Sequence, residues 1–162
     1  MVIFGKRLSD YVAFCRPFLL LIAVVGFVRL ALSLGGVPNS TAKWLSMTLL
    51  VWIGVVYYSI RIPARGFGSY KQLFPVVALL NITAQLIAII GIAIAMFTGN
   101  DNIFSAPEYA FGGDGKSWLH LGAHVFIGTT IGSLVPWVIG CCILAIARKV
   151  FGSDRKVLRS AS

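Results

Sequence analysis

Hydrophobic positions in this chain do not alternate with polar ones. They form long runs parted by short polar or charged breaks. Four runs stand out, at about 17–35, 44–62, 75–98 and 117–147. Each approaches or exceeds the roughly 20 residues with which an apolar helix crosses a bilayer. Pro17 stands in the first turn of the first run, where a helix tolerates proline. Pro63 closes the second run and Gly99–Asn100 the third. The expected fold is an all-α integral membrane protein, a bundle of four transmembrane helices running up and down as a single domain over residues 1–162. Ahead of the first run, Leu8, Tyr11, Val12 and Cys15 fall at helical spacing behind Ser9 and Asp10. They predict a short amphipathic segment lying on the membrane surface. The first run is longer than a signal h-region, contains Arg29 and is followed by no small-x-small site, so it is expected to remain as a span.

Composition agrees with the pattern. Hydrophobic residues make up 58% of the chain and charged residues only 12%, about half the charge of a soluble domain. The charges are also sorted. Lys6, Arg7 and Arg16, then Arg61, Arg65 and Lys71, then Arg148, Lys149, Arg155, Lys156 and Arg159 all fall on one side of the expected bundle. The other side has Lys43, Lys116 and the acids Asp101, Glu108 and Asp114 of the loop 99–116. The positive-inside rule therefore predicts cytoplasmic termini, a basic tail over 148–162 and a plasma (inner) membrane location. Trp44 and Trp118 would mark the outer interface and Tyr11, Tyr57, Tyr58 and Tyr70 the inner one. The net charge of +9 is then explained by topology and by attraction to anionic lipid heads. No aromatic–basic platform for nucleic acid occurs in a soluble segment.

Small and polar residues mark the faces on which membrane helices pack. In the third run Ala84, Ala88 and Gly91 recur at helical spacing, with Asn81 extending the stripe and Gln85 beside it. In the first run Gly26 and Ser33 share a face with Arg29. The fourth run places His120, His124, Gly128, Gly132, Pro136 and Gly140 at every fourth position. Such a ridge winds about 40° per step around a straight helix, so it predicts a close, angled crossing with a neighbour. Pro136 is expected to kink the helix. The loop 99–116 is too long for a tight turn, and Ile103, Phe104, Tyr109 and Phe111 give it apolar anchors over the bundle mouth.

Few residues carry chemistry. Arg29 lies roughly 9 Å below the end of its helix. It is expected either to snorkel to the interface or to pair with a loop carboxylate, Glu108 first, or to bind a ligand. His120 and His124 have the i,i+4 spacing of metal-ligating histidines, with Asp101, Glu108 or Asp114 as a third ligand. One of them alone suits the central metal of a haem or chlorophyll-type pigment. The competing reading has both histidines hydrogen-bonded at the bundle mouth. Cys15, Cys141 and Cys142 form no CxxC pair and read as small hydrophobes. No acid lies inside a run, and no nucleophile–base set is visible at useful depth. The chain lacks the paired loop cysteines of four-helix disulfide-generating oxidoreductases and the buried acid of small multidrug exporters. The expectation is a small accessory subunit of a larger membrane assembly, not an enzyme, with lipids and other subunits or its own copies as partners. An outer-leaflet metal, pigment or ligand site and a small transporter are the alternatives.

Overall fold

Four helices are long and apolar enough to cross a membrane in the computed structural model, which describes residues 1–110 and 113–160, with side chains to residue 150 apart from Tyr109. A two-residue hairpin comes first, β1 (Val2–Ile3) paired antiparallel with β2 (Lys6–Arg7). Then follow α1 (Leu8–Leu34), the single turn α2 (Asn39–Ala42), α3 (Met47–Ala64) and α4 (Tyr70–Thr98). The last helix begins as α5 (Trp118–Ala123), passes through a π turn at His124–Gly128 and continues as α6 (Thr129–Ser160).

Local chemistry sets the boundaries, and it moves several of them from the expected positions. The separate surface segment does not exist. Residues from Leu8 onward are the first turns of one unbroken α1, because Tyr11 and Cys15 are buried in the core, with Tyr11 edge-on to Phe67. The hairpin ahead of α1 is held by the Tyr11 hydroxyl, which donates to the Ile3 carbonyl at 2.9 Å, and by Gln72 Nε2, which donates to Phe4 O at 2.8 Å. Helix α3 starts at Met47 rather than Trp44, where Ser46 Oγ accepts from Leu49 N at 3.2 Å. Helix α4 starts five residues before Pro75 because Ser69 and Gln72 form a reciprocal capping box, Ser69 N donating to Gln72 Oε1 at 2.8 Å. Such caps satisfy amides that the first turn leaves open. The backbone of α6 stays helical to Ser160, so the expected tail begins as a helical extension. The side chains of Arg155, Lys156 and Arg159 lie outside the described residues.

Side-chain pairings show that helices consecutive in the chain run antiparallel. Phe14 meets Tyr58 near one end of the α1–α3 pair, while Gly26 faces Met47 near the other. On α4 and α6, Asn81 lies against Gly132 and Gln85 against Gly128. Helix α4 is the hub, packed against α1, α3 and α6. Its buried positions, among them Leu73, Val77, Leu80, Ala84, Ile87, Ala88 and Ile92, form the central strip of the core.

The end of the bundle opposite the chain termini, here the loop end, is closed by the described residues of the loop that follows α4. Asn102 is buried; its Nδ2 donates to Gly91 O at 2.7 Å, and its Oδ1 accepts from Phe104 N at 2.9 Å. Ile103 N donates to Ser33 Oγ at 2.8 Å. Ile103 and Phe104 are buried as the anchors they were expected to be, whereas Phe111 and the side chain of Tyr109 lie outside the described residues. The loop therefore folds down onto α1 and α4 instead of extending away.

Candidate ligand site between the helices

Asn81 and Gln85 stand one turn apart on α4, hence on one face. They meet the Gly128–Gly132 pair of the last helix. A Cβ at Gly128 would come 2.8 Å from Gln85 Oε1, and one at Gly132 would come 2.9 Å from Asn81 Oδ1. The four-residue ridge does mark a close crossing. Its glycines make room for two amide side chains rather than for bare backbone contact.

Asn81 Nδ2 donates to the carbonyls of Gly128 and Thr129 at 3.0 and 3.2 Å and lies 3.1 Å from Ser133 Oγ. These carbonyls flank the end of the π turn, where bonding shifts away from the regular i→i+4 ladder. Ser133 Oγ donates to Thr129 O at 2.6 Å, and Thr129 Oγ1 donates to His124 O at 3.1 Å. Two regular oxygen acceptors thus require the amide nitrogen of Asn81 to face α6, which turns its Oδ1 toward α4. Gln85 Nε2 donates to that oxygen at 3.4 Å. Gln85 Oε1 is left to accept from His124 Nδ1 at 2.7 Å. An amide oxygen only accepts, so Nδ1 carries the proton and, in the neutral ring, Nε2 carries the lone pair. His120 reaches the same state separately, since its Nδ1 lies 2.9 Å from the Gly115 carbonyl. The ring centroids of the two histidines are 5.0 Å apart.

Arg29 enters from α1. Its guanidinium lies over the Phe104 ring, 5.2 Å from the centroid, in cation–π range. Arg29, Gln85 and His124 line one cavity of about 220 Å³ with Thr48, Met47 and Phe104. Arg29 is the one formally charged side chain among its described lining residues. A second cavity of about 280 Å³ continues from it past Asn81, Trp52 and Pro136.

The remaining residues singled out by sequence fall into place around this site. Ala84 and Ala88 form the cavity floor, Gly26 and Gly91 are buried against Met47 and Phe104 respectively, and Ser33 donates to Asn39 Oδ1 at 2.9 Å. Glu108 accepts from Asn39 Nδ2 at 3.4 Å. Asp101 pairs with Lys116 at 3.2 Å, and Asp114 Oδ1 accepts from Lys116 N at 2.9 Å. The loop carboxylates considered as a third metal ligand are thus engaged elsewhere, and no group of three or more His, Cys, Asp or Glu close enough to share a metal occurs among the described residues. Pro136 is buried within α6, which is helical on both sides of it, and the last helix carries a π turn at His124–Gly128. Sequence reasoning did not find Thr48, Asn102 or Ser133. Ser133 had a signal, lying four residues after Thr129; a loop asparagine such as Asn102 had none.

Comparison with protein families, curated proteins and solved structures finds no match to this chain. The site therefore stands on its own chemistry.

Proposed function

We propose that this is a small multi-pass membrane protein, a non-enzymatic subunit whose task is to hold a ligand in the cavity shared by Arg29, Gln85 and His124. The observation that carries the reading is their convergence from three helices on one cavity, with Gln85 and His124 oriented by a hydrogen-bond relay. Concave sites of this kind, apolar with a few convergent polar groups, are where small molecules bind. Arg29 and His124 are half-buried, and ionisable groups within membrane helices are costly and are kept mainly for function. The charge asymmetry supports cytoplasmic termini and, with them, a site toward the outer side of an inner membrane.

Native mass spectrometry of the full chain released from a mild detergent tests the proposal. Wild type is expected to carry a defined small-molecule adduct that is lost in His124→Ala and in Arg29→Gln. A wild-type spectrum free of adducts at every release energy counts against it. The same spectra read the subunit expectation, because partner chains or further copies would appear as larger masses. A metal or pigment on His124 is the second reading. It is favoured by the fixed Nδ1–H tautomer, since metal-bound histidines commonly donate the other ring nitrogen to an oxygen acceptor. Elemental analysis and an absorption spectrum of the same preparation distinguish it.

A further inference from the structure

The Arg29 cavity does not end at Gln85. It shares Thr48, Ala84 and Gln85 with the second cavity, so the two form one groove with α4 as its floor. From Ala88 to Asn81 that floor spans about 10 Å at helical rise. One rim is α3, with Val51 and Trp52, and the other is α6, with Ile131 and Val135. Ile131 and Val135 are 55% and 48% exposed, so the groove opens sideways, on the surface a bilayer would cover. Nearer the termini the two rims close, because a Cβ at Gly140 would stand 3.1 Å from Val55 Cγ1 and 2.9 Å from Ser59 Oγ. The groove is therefore polar at the loop end, apolar along its rims and blind at its base.

We propose that it holds one membrane lipid with an anionic, hydroxyl-bearing phosphate headgroup, which enters laterally between α3 and α6. This rests on the ligand-site reading above. The guanidinium of Arg29 matches the phosphate in charge and in paired donors. With Nδ1–H engaged by Gln85 Oε1, His124 in its neutral form has only an acceptor left at Nε2, so its partner there must donate; a headgroup hydroxyl does and a choline cannot. One acyl chain follows Trp52, Ile131 and Val135, where the rims are apolar. A groove open to the bilayer selects a ligand already dissolved in it, and its charge excludes a cationic head.

Trp52 supplies the probe. The full chain is reconstituted in bilayers containing phosphatidylglycerol or phosphatidylcholine with identical brominated acyl chains, and Trp fluorescence quenching is read. The signal assigned to the groove is the quenching lost in Trp52→Phe. Phosphatidylglycerol is expected to quench it at about one-tenth the mole fraction that phosphatidylcholine needs, the equivalent of one charge-assisted hydrogen bond. Arg29→Gln is expected to abolish that preference and Arg29→Lys to keep part of it. General attraction of anionic lipid to the basic termini survives Arg29→Gln, so only the Arg29-dependent share is attributed to the groove. Equal quenching by the two lipids in wild type overturns the proposal, a result that needs no variant to fold. An undiminished preference in a folded Arg29→Gln also overturns it. If soluble glycerol 3-phosphate removes the excess quenching, the ligand is a free anion; the lipid proposal then fails while the ligand site stands.

Discussion

Two backbone carbonyls at the end of the π turn, those of Gly128 and Thr129, orient Asn81, and through it Gln85 and His124. The relay makes a prediction about individual atoms. Nitrogen-15 NMR of labelled protein should show the proton on Nδ1 in both histidines. In Gln85→Leu the His124 pattern should change while that of His120, held by Gly115 O, should not. A wild-type His124 protonated only at Nε2 would refute the relay. The same contacts predict stabilities. Asn81→Leu removes the donor that serves Gly128 and Thr129, and should cost about 1 kcal/mol, within the range for polar contacts between membrane helices. Gly132→Ala drives a methyl to 2.9 Å from Asn81 Oδ1 and should lower the melting temperature in detergent. Gly122→Ala is the matched control, since nothing lies within 4 Å of its Cβ; alanine's better helix propensity should leave it neutral or slightly more stable. Equal destabilisation at both glycines would mean that the crossing is not what makes Gly132 necessary.

At the scale of elements, the four runs were legible because each apolar stretch exceeds what a turn or a strand can hold. Their ends were less so. Helix α3 ends one residue after Pro63, but Pro17 and Pro75, where the first and third runs begin, lie well inside their helices; the Ser46 and Ser69 caps govern where α3 and α4 begin. Along the ridge from His120 to Gly140, Gly128, Gly132 and Gly140 lie against neighbouring helices, but that amides fill two of the notches was not legible, because side-chain reach across a crossing has no signature in one helix alone. The π turn was invisible for a related reason: the carbonyl of its last residue, Gly128, accepts from Asn81, 47 positions away. The turn can be tested as an element. Deleting the exposed Ile127 allows a regular helix across 124–128; four residues at about 100° each turn nearly as far as five in the wider π turn, so the helix before it keeps its phase. The variant should fold with His124 still against Gln85 and keep the Nδ1–H signature. Loss of that signature would show that the π turn itself aims His124.

For the whole molecule, the site's meaning depends on which way the bundle faces. Its components come from α1, α3, α4 and the α5–α6 helix, so only the assembled fold contains it, and the sequence could nominate Arg29 and His124 without showing that they share a cavity. Orientation, by contrast, is argued from sequence, through the eleven basic residues gathered at the termini and the α3–α4 connection. Single cysteines settle it, in a chain with Cys15, Cys141 and Cys142 replaced by alanine. Asn100→Cys at the loop end and Arg65→Cys beyond α3 both occupy exposed positions. A membrane-impermeant maleimide applied to intact cells should label Asn100→Cys at once, and Arg65→Cys only after permeabilisation. The reverse pattern would place the termini outside and move the Arg29 groove to the cytoplasmic leaflet. The groove would still open between α3 and α6, but it would draw on the lipids of the opposite leaflet, so the labelling result also fixes the leaflet in which the brominated lipids must be present.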